Sequence, residues 1–120
     1  MRARNGLPRS SRLPDAASFS AVMRGGRQVH DDFFRVFAVP NREPCARLGI
    51  VVSRKVSRKA VARNRIKRRI REAFRHDQHT LASLDVVVIA RPPAAQRSHA
   101  ELGASLTEHW VKIAKKCKDC

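Results

Sequence analysis

The side chains able to do chemistry in this 120-residue chain form three unequal sets. Carboxylates come first, because metal-dependent hydrolysis of a phosphodiester needs several of them converging on one point. The ten Asp and Glu are scattered, and Asp31-Asp32 are the only adjacent ones. Histidines come second: His30, His76, His79, His99 and His109 could in principle give a general acid and base without a metal. No spacing pairs them. His76 and His79 follow the end of a helical pattern, where a cation suits the helix dipole, and His109 lies close to core positions of another helix. Structural or surface roles account for all five. Cys45, Cys117 and Cys120 are odd in number, without an export signal, so reduced thiols are expected rather than a disulfide framework. Cys117 and Cys120 make one C-x-x-C pair with no second pair at zinc-site spacing, so no metal is assigned to them.

The third set dominates. Lys and Arg number 26 against 10 acids, a net charge of +16. Eleven of these bases lie between Arg54 and Arg75: Arg54, Lys55, Arg58, Lys59, Arg63, Arg65, Lys67, Arg68, Arg69, Arg71 and Arg75, with Glu72 the only acid among them. On a helix, Asn64, Arg68, Arg71 and Arg75 share one side and Arg65 flanks them, while Ile66, Ile70 and Phe74 lie opposite. Like charges at such spacings repel by a few tenths of a kcal/mol per close pair, so helix stability does not explain them. A bound polyanion does. Arg outnumbers Lys here, and a guanidinium takes two phosphate oxygens at once, which favours fixed geometry. A solvated face would mix both signs.

The elements that must position this cluster follow from pattern and punctuation. Residues 1–14 carry Arg2, Arg4, Arg9 and Arg12 among Pro, Gly and Ser, and read as a flexible basic tail. A targeting segment is the other reading of it, but it is short and interrupted by Pro8 and Pro14. Asp15 is an N-cap for a helix with Phe19, Val22 and Met23 inside and Gly25-Gly26 at its end. Residues 29–39 read as one strand whose faces are Phe34, Val36, Ala38 and Phe33, Arg35, Phe37, Val39. A turn at 41–44, a strand over 48–52 and a polar loop over 53–59 precede the basic helix, which runs from about Ala60 to Arg75. Val86 to Ala90 is an unbroken apolar run, the mark of a strand covered on both sides. Ser98 and Glu101 form a capping box before Leu102, Leu106, Trp110, Ile113 and Cys117. The result is one α+β domain over residues 15–116, a helix–strands–helix–strand–helix sandwich with a sheet of three to four strands, and a short tail at 117–120.

No segment approaches the roughly 20 apolar residues that span a bilayer, and the apolar stripe of the basic helix is needed by the core, which leaves little for lipid. A cytoplasmic protein with no membrane partner is expected. No helix-turn-helix, zinc finger or leucine zipper is present, which turns the choice from DNA to RNA.

The run Arg63-Asn64-Arg65-Ile66-Lys67-Arg68, continued by Arg69-Ile70-Arg71-Glu72-Ala73-Phe74, resembles the Arg-Asn-Arg signature of the bacterial ribonuclease P protein family. Leu48 to Lys55 looks like the strand and loop before that signature, and Asp85 to Arg91 like the strand after it. The resemblance spans roughly Leu13 to Ala114. It implies an αβββαβα-type fold with a left-handed βαβ crossover around the signature helix, where the general rule favours the right hand. It also implies a subunit of an endoribonuclease, bacterial and cytoplasmic, that trims the 5′ leader of precursor tRNA. The catalytic RNA is the partner that supplies the reactive centre and its Mg²⁺; the protein alone holds no cofactor and has no catalytic residue or obligate protein partner.

By that resemblance Arg54, Lys55, Arg58, Lys59, Arg63, Asn64, Arg65, Lys67, Arg68 and Arg71 dock on the catalytic RNA, and Phe19, Met23, Phe34, Arg35 and Phe37 meet the single-stranded leader. Two readings of Arg63 stand open, since it projects toward the edge of the apolar stripe and could brace the fold instead. Each Phe has the same two readings, leader or core. Met23 stands where the family often has an aromatic, and the chain has no Tyr, which lowers the stacking available. Two competitors remain: a structural RNA binder of ribosomal type, and a self-sufficient nuclease using His79 or His76.

Overall fold

The computed structural model describes residues 9–118. Three helices and one four-stranded sheet follow each other as α1 (Ala16–Gly25), β1 (Arg27–His30), β2 (Phe34–Pro40), β3 (Arg47–Val51), α2 (Ala60–His76), β4 (Leu84–Ala90) and α3 (His99–Lys118). The strands lie in the order β1-β2-β4-β3; β2 is antiparallel to β1 and β4, and β3 is parallel to β4 through the α2 crossover. The α+β expectation and the mixed sheet hold.

Local chemistry sets the boundaries. Asp15 accepts from the Ser18 N–H at 2.9 Å, the cap read from the sequence. Ser98 and Glu101 exchange their two reciprocal hydrogen bonds, at 3.0 and 3.1 Å. The segment 29–39 is not one strand but a hairpin. Asp31 turns the chain, its Oδ1 accepting from the backbone N–H of both Phe33 and Phe34. A short Asp side chain satisfying its own turn competes with strand continuation, and here the turn wins.

Both ends of the domain extend further than expected. Arg9–Ser11 form a 3-10 turn, Ser11 and Leu13 are buried, and the Leu13 N–H donates to the Leu48 carbonyl at 3.0 Å beside an Arg12–Leu48 bridge. The residues from 9 onward therefore belong to the fold, while the earlier part of the proposed tail lies outside the described residues. At the other end Cys117 is buried on α3 and packs in the core, so it is no part of a tail.

The sheet carries different loads on its two faces. On one, Phe34, Val36, Ala38, Val86 and Val88 meet Ile66, Ile70 and Phe74 of α2 and Leu102, Leu106, Trp110 and Ile113 of α3. Phe74 and Trp110 meet edge to face with centroids 6.2 Å apart. On the other, α1 covers Phe37 and Val87 with Val22, and Phe19, Met23, Val39 and Ile89 close the margin half-buried. β4 is thus covered on both sides, as its unbroken apolar run predicts. Gly49 lets α1 approach: a Cβ there would lie 2.5 Å from the Phe19 ring.

Candidate nucleic-acid interface

The basic helix is built as an amphipath. Ile66, Ile70, Ala73 and Phe74 are buried against the sheet and α3, and Asn64, Arg68 and Arg75 point outward and exposed, with Arg71 half-exposed beside them. Within the loop before it, Arg54, Lys55, Arg58 and Lys59 are exposed as well. Glu72, the single acid of α2, is engaged by Arg69 at 3.6 Å and by His99 at 3.4 Å. Among the described residues, Arg54, Lys55, Arg58, Lys59, Lys67, Arg68 and Arg71 carry no ion pair or side-chain hydrogen bond to the protein. A crowd of cations left without internal partners is an electrostatic cost in the free protein and a phosphate-binding surface in a complex.

The remaining arginines of the signature divide their work. Arg63 Nη1 donates to the carbonyls of Ser57 and Arg58 at 3.0 and 2.9 Å, tying the basic loop to the start of α2. Of the two readings of Arg63, the brace is the one the contacts display. Arg65 Nη2 reaches the Ala95 carbonyl at 3.1 Å. Arg69 Nε donates to the His99 carbonyl at 2.8 Å, its guanidinium lying over Gly103 where a Cβ would collide with it. These contacts lock the helix to its surroundings and fix where Arg68 and Arg71 stand.

A second surface lies under α1. Phe19, Met23, Arg35 and Phe37 do gather there, but Phe34 does not: it is fully buried on the opposite face, in the α2–α3 core. Strand alternation places Phe34 and Arg35 on opposite sides, so both could not line one cleft. Phe37 is itself nearly buried, and Arg35 lies over its ring at 5.1 Å while donating twice to Gln28 Oε1. The plane offered to a ligand is therefore the Arg35 guanidinium, backed by Phe37. Register adds residues the sequence reading omitted: His30 and Ile89 pair with Arg35, Gln28 with Phe37, and Val51 with Ile89. Reading residues 29–39 as one strand hid Gln28 and His30, whereas the Asp31 turn signal would have exposed the hairpin.

Farther along this face Asp85 is buried yet satisfied, by Arg47 on both oxygens at 2.8 Å and by Asn41 at 2.7 Å. It is a structural pair. Among the described residues no group of three or more His, Cys, Asp and Glu could hold a metal ion, and no helix is long and apolar enough to cross a membrane.

The ribonuclease P family profile matches residues 7–114. The chain belongs to the ribonuclease P protein family. A ribonuclease P protein component from Methylococcus capsulatus is 43% identical over 112 residues, covering 93% of this chain and 88% of its relative. One from Thioalkalivibrio sulfidiphilus is 38% identical and covers 93% of each. Among solved structures, the Staphylococcus aureus ribonuclease P protein superposes with a TM-score of 0.79 at 39% identity, over 88% of this chain and 95% of that one. The Thermotoga maritima ribonuclease P protein gives 0.77 at 30% identity, over 85% and 96%. The resemblance first carried by the Arg-Asn-Arg run thus extends to sequence and fold over nearly the whole chain.

Proposed function

We propose that the chain binds the catalytic RNA of ribonuclease P through the outward face of α2 and the 53–59 loop, and holds the 5′ leader of precursor tRNA against the sheet under α1. The observation that carries this reading is the set of guanidinium and ammonium groups around Arg68 and Arg71, which face solvent without carboxylate partners. Folded RNA supplies phosphates at fixed positions, and a helix anchored by its buried stripe and by Arg63, Arg65 and Arg69 matches fixed positions better than a flexible tail does. The cleft contributes differently. Arg35, Met23 and the edge of Phe19 make a narrow half-apolar platform suited to unpaired bases.

In this reading the bond-breaking step and its Mg²⁺ belong to the RNA, and the protein raises substrate affinity, separates precursor from mature tRNA and lowers the metal demand by neutralising phosphates. The site is cytoplasmic, and the partners are the two RNAs. Reconstitution tests it. The purified chain alone leaves precursor tRNA intact, and addition of the cognate RNA gives cleavage at the mature 5′ end. Robust cleavage by the chain without RNA overturns the reading, as does a holoenzyme whose activity is indifferent to the protein; the second outcome would favour a structural RNA binder.

A further inference from the structure

A second basic surface lies away from α2, on the far edge of the sheet. β1 is an edge strand, and the C-terminal half of α3 runs beside it, so that Gln28, Val29, His30, Lys112, Lys115 and Lys116 line a groove. Among the described residues no carboxylate lines it. Lys116 Nζ donates to the Gln28 carbonyl at 2.8 Å and closes the groove floor against the strand. Lys112 and Lys115 are exposed and, among the described residues, make no ion pair or side-chain hydrogen bond to the protein.

The groove adjoins the α1 face of the sheet across β1. Gln28 Oε1 accepts from Arg35, and His30 pairs with Arg35 across the hairpin, so one strand spacing of about 4.8 Å separates the cleft wall from the groove wall. Charge gives the path a direction. The neighbouring hollow over the first half of α3 is lined by Asp31, Glu101 and Glu108, which repel phosphate, and Lys112 stands at the border of the two. A phosphate backbone leaving the cleft across β2 and β1 is drawn to the lysine half of α3 and turned away from the acidic half.

Resting on the function proposed above, we infer that the β1–α3 groove carries the distal part of the precursor tRNA leader, the nucleotides beyond those held in the cleft. Recognition is chiefly by backbone phosphate, because the walls offer three ammonium groups against one aromatic ring, that of His30.

The test uses holoenzyme assembled from the full chain and its RNA, with precursor tRNAs carrying leaders of about 4 or about 16 nucleotides, the span of short and long single-strand sites. Lys112→Gln with Lys115→Gln should weaken long-leader binding roughly tenfold and leave the short leader unchanged. It should also reduce the salt slope of long-leader binding by about 1.4, two single-strand contacts at 0.7 each. Lys112→Arg with Lys115→Arg should restore wild-type affinity. Equal losses for both leaders, no loss for either, or weakened assembly with the catalytic RNA would each overturn the inference. Cleavage of the short-leader substrate reports separately on the function it rests on.

Discussion

At the scale of single residues, the arginines of the signature are alike in charge and different in employment. Arg63 spends its guanidinium on two loop carbonyls, so Arg63→Ala should loosen the 53–59 loop rather than delete a phosphate contact. Faster amide hydrogen exchange in that loop, with α2 protected as before, is the expected outcome. Gly49 answers to space alone. Gly49→Ala pushes the Phe19 ring off the sheet, which should cost about 1–3 kcal/mol in denaturant unfolding, as overpacking does. Asp31 answers to pH. Burial opposes its charge, but the Ser105 hydroxyl, the Phe34 and Phe33 N–H groups and the His109 ring outweigh that and hold its carboxyl below the ordinary value of 3.8. His109 Nε2 sits 3.1 Å from Oδ2 without the alignment of a hydrogen bond. A depressed carboxylate stabilises the fold above its unfolded pKa, and that stability is lost as pH falls through the folded one. Thermal unfolding between about pH 6 and pH 2.5 should show a midpoint that drops below about pH 4 in the wild type. Asp31→Asn should lack that component, being less stable at pH 6 and less sensitive to acid; equal slopes would remove Asp31 from the hairpin–α3 linkage.

At the scale of elements, α2 is the unit on which both fold and function turn. Its inner stripe is fully buried, so Ile70→Asp places a charge where no partner exists and should abolish the cooperative thermal transition. The stripe, the capping box of α3, the Asp15 cap and the doubly covered β4 were all legible, because each rests on periodicity or on a cap acting within a few residues. What was not legible depended on distant pairing. The hairpin at Asp31 is marked in the sequence only by the polar run His30-Asp31-Asp32, and the pairing that brings Val29 onto the face of Phe34 and Val36 is set by the fold. Reading one strand there hid Gln28 and His30. Phe34 differs: strand alternation already sets it apart from Arg35 and Phe37, and a resemblance that covers the whole segment does not distinguish its two faces. Ser11 and Leu13 joined the fold through contacts with Gln78 and β3 that local pattern does not encode, whereas Cys117 continues the apolar stripe of α3.

For the whole molecule, the net charge of +16 is arranged rather than spread. One face carries α2 and its loop, another the half-apolar platform under α1, and a third the lysines of α3, with the carboxylates Glu101 and Glu108 grouped apart from them. Sequence alone located the first set by residue, because eleven bases in one run need no tertiary information. The lysine groove needed the sheet order to be seen. Binding through so many phosphate contacts should fall steeply with salt; a flat response between low and physiological ionic strength would contradict the arrangement as a binding device. The most direct test of the central claim is the affinity of the Arg68→Glu, Arg71→Glu double variant for the catalytic RNA, measured beside its thermal midpoint. The account predicts affinity lower by about 100-fold at moderate salt, with the midpoint shifted by no more than a few degrees. A folded double variant that binds the RNA as tightly as the wild type would contradict it.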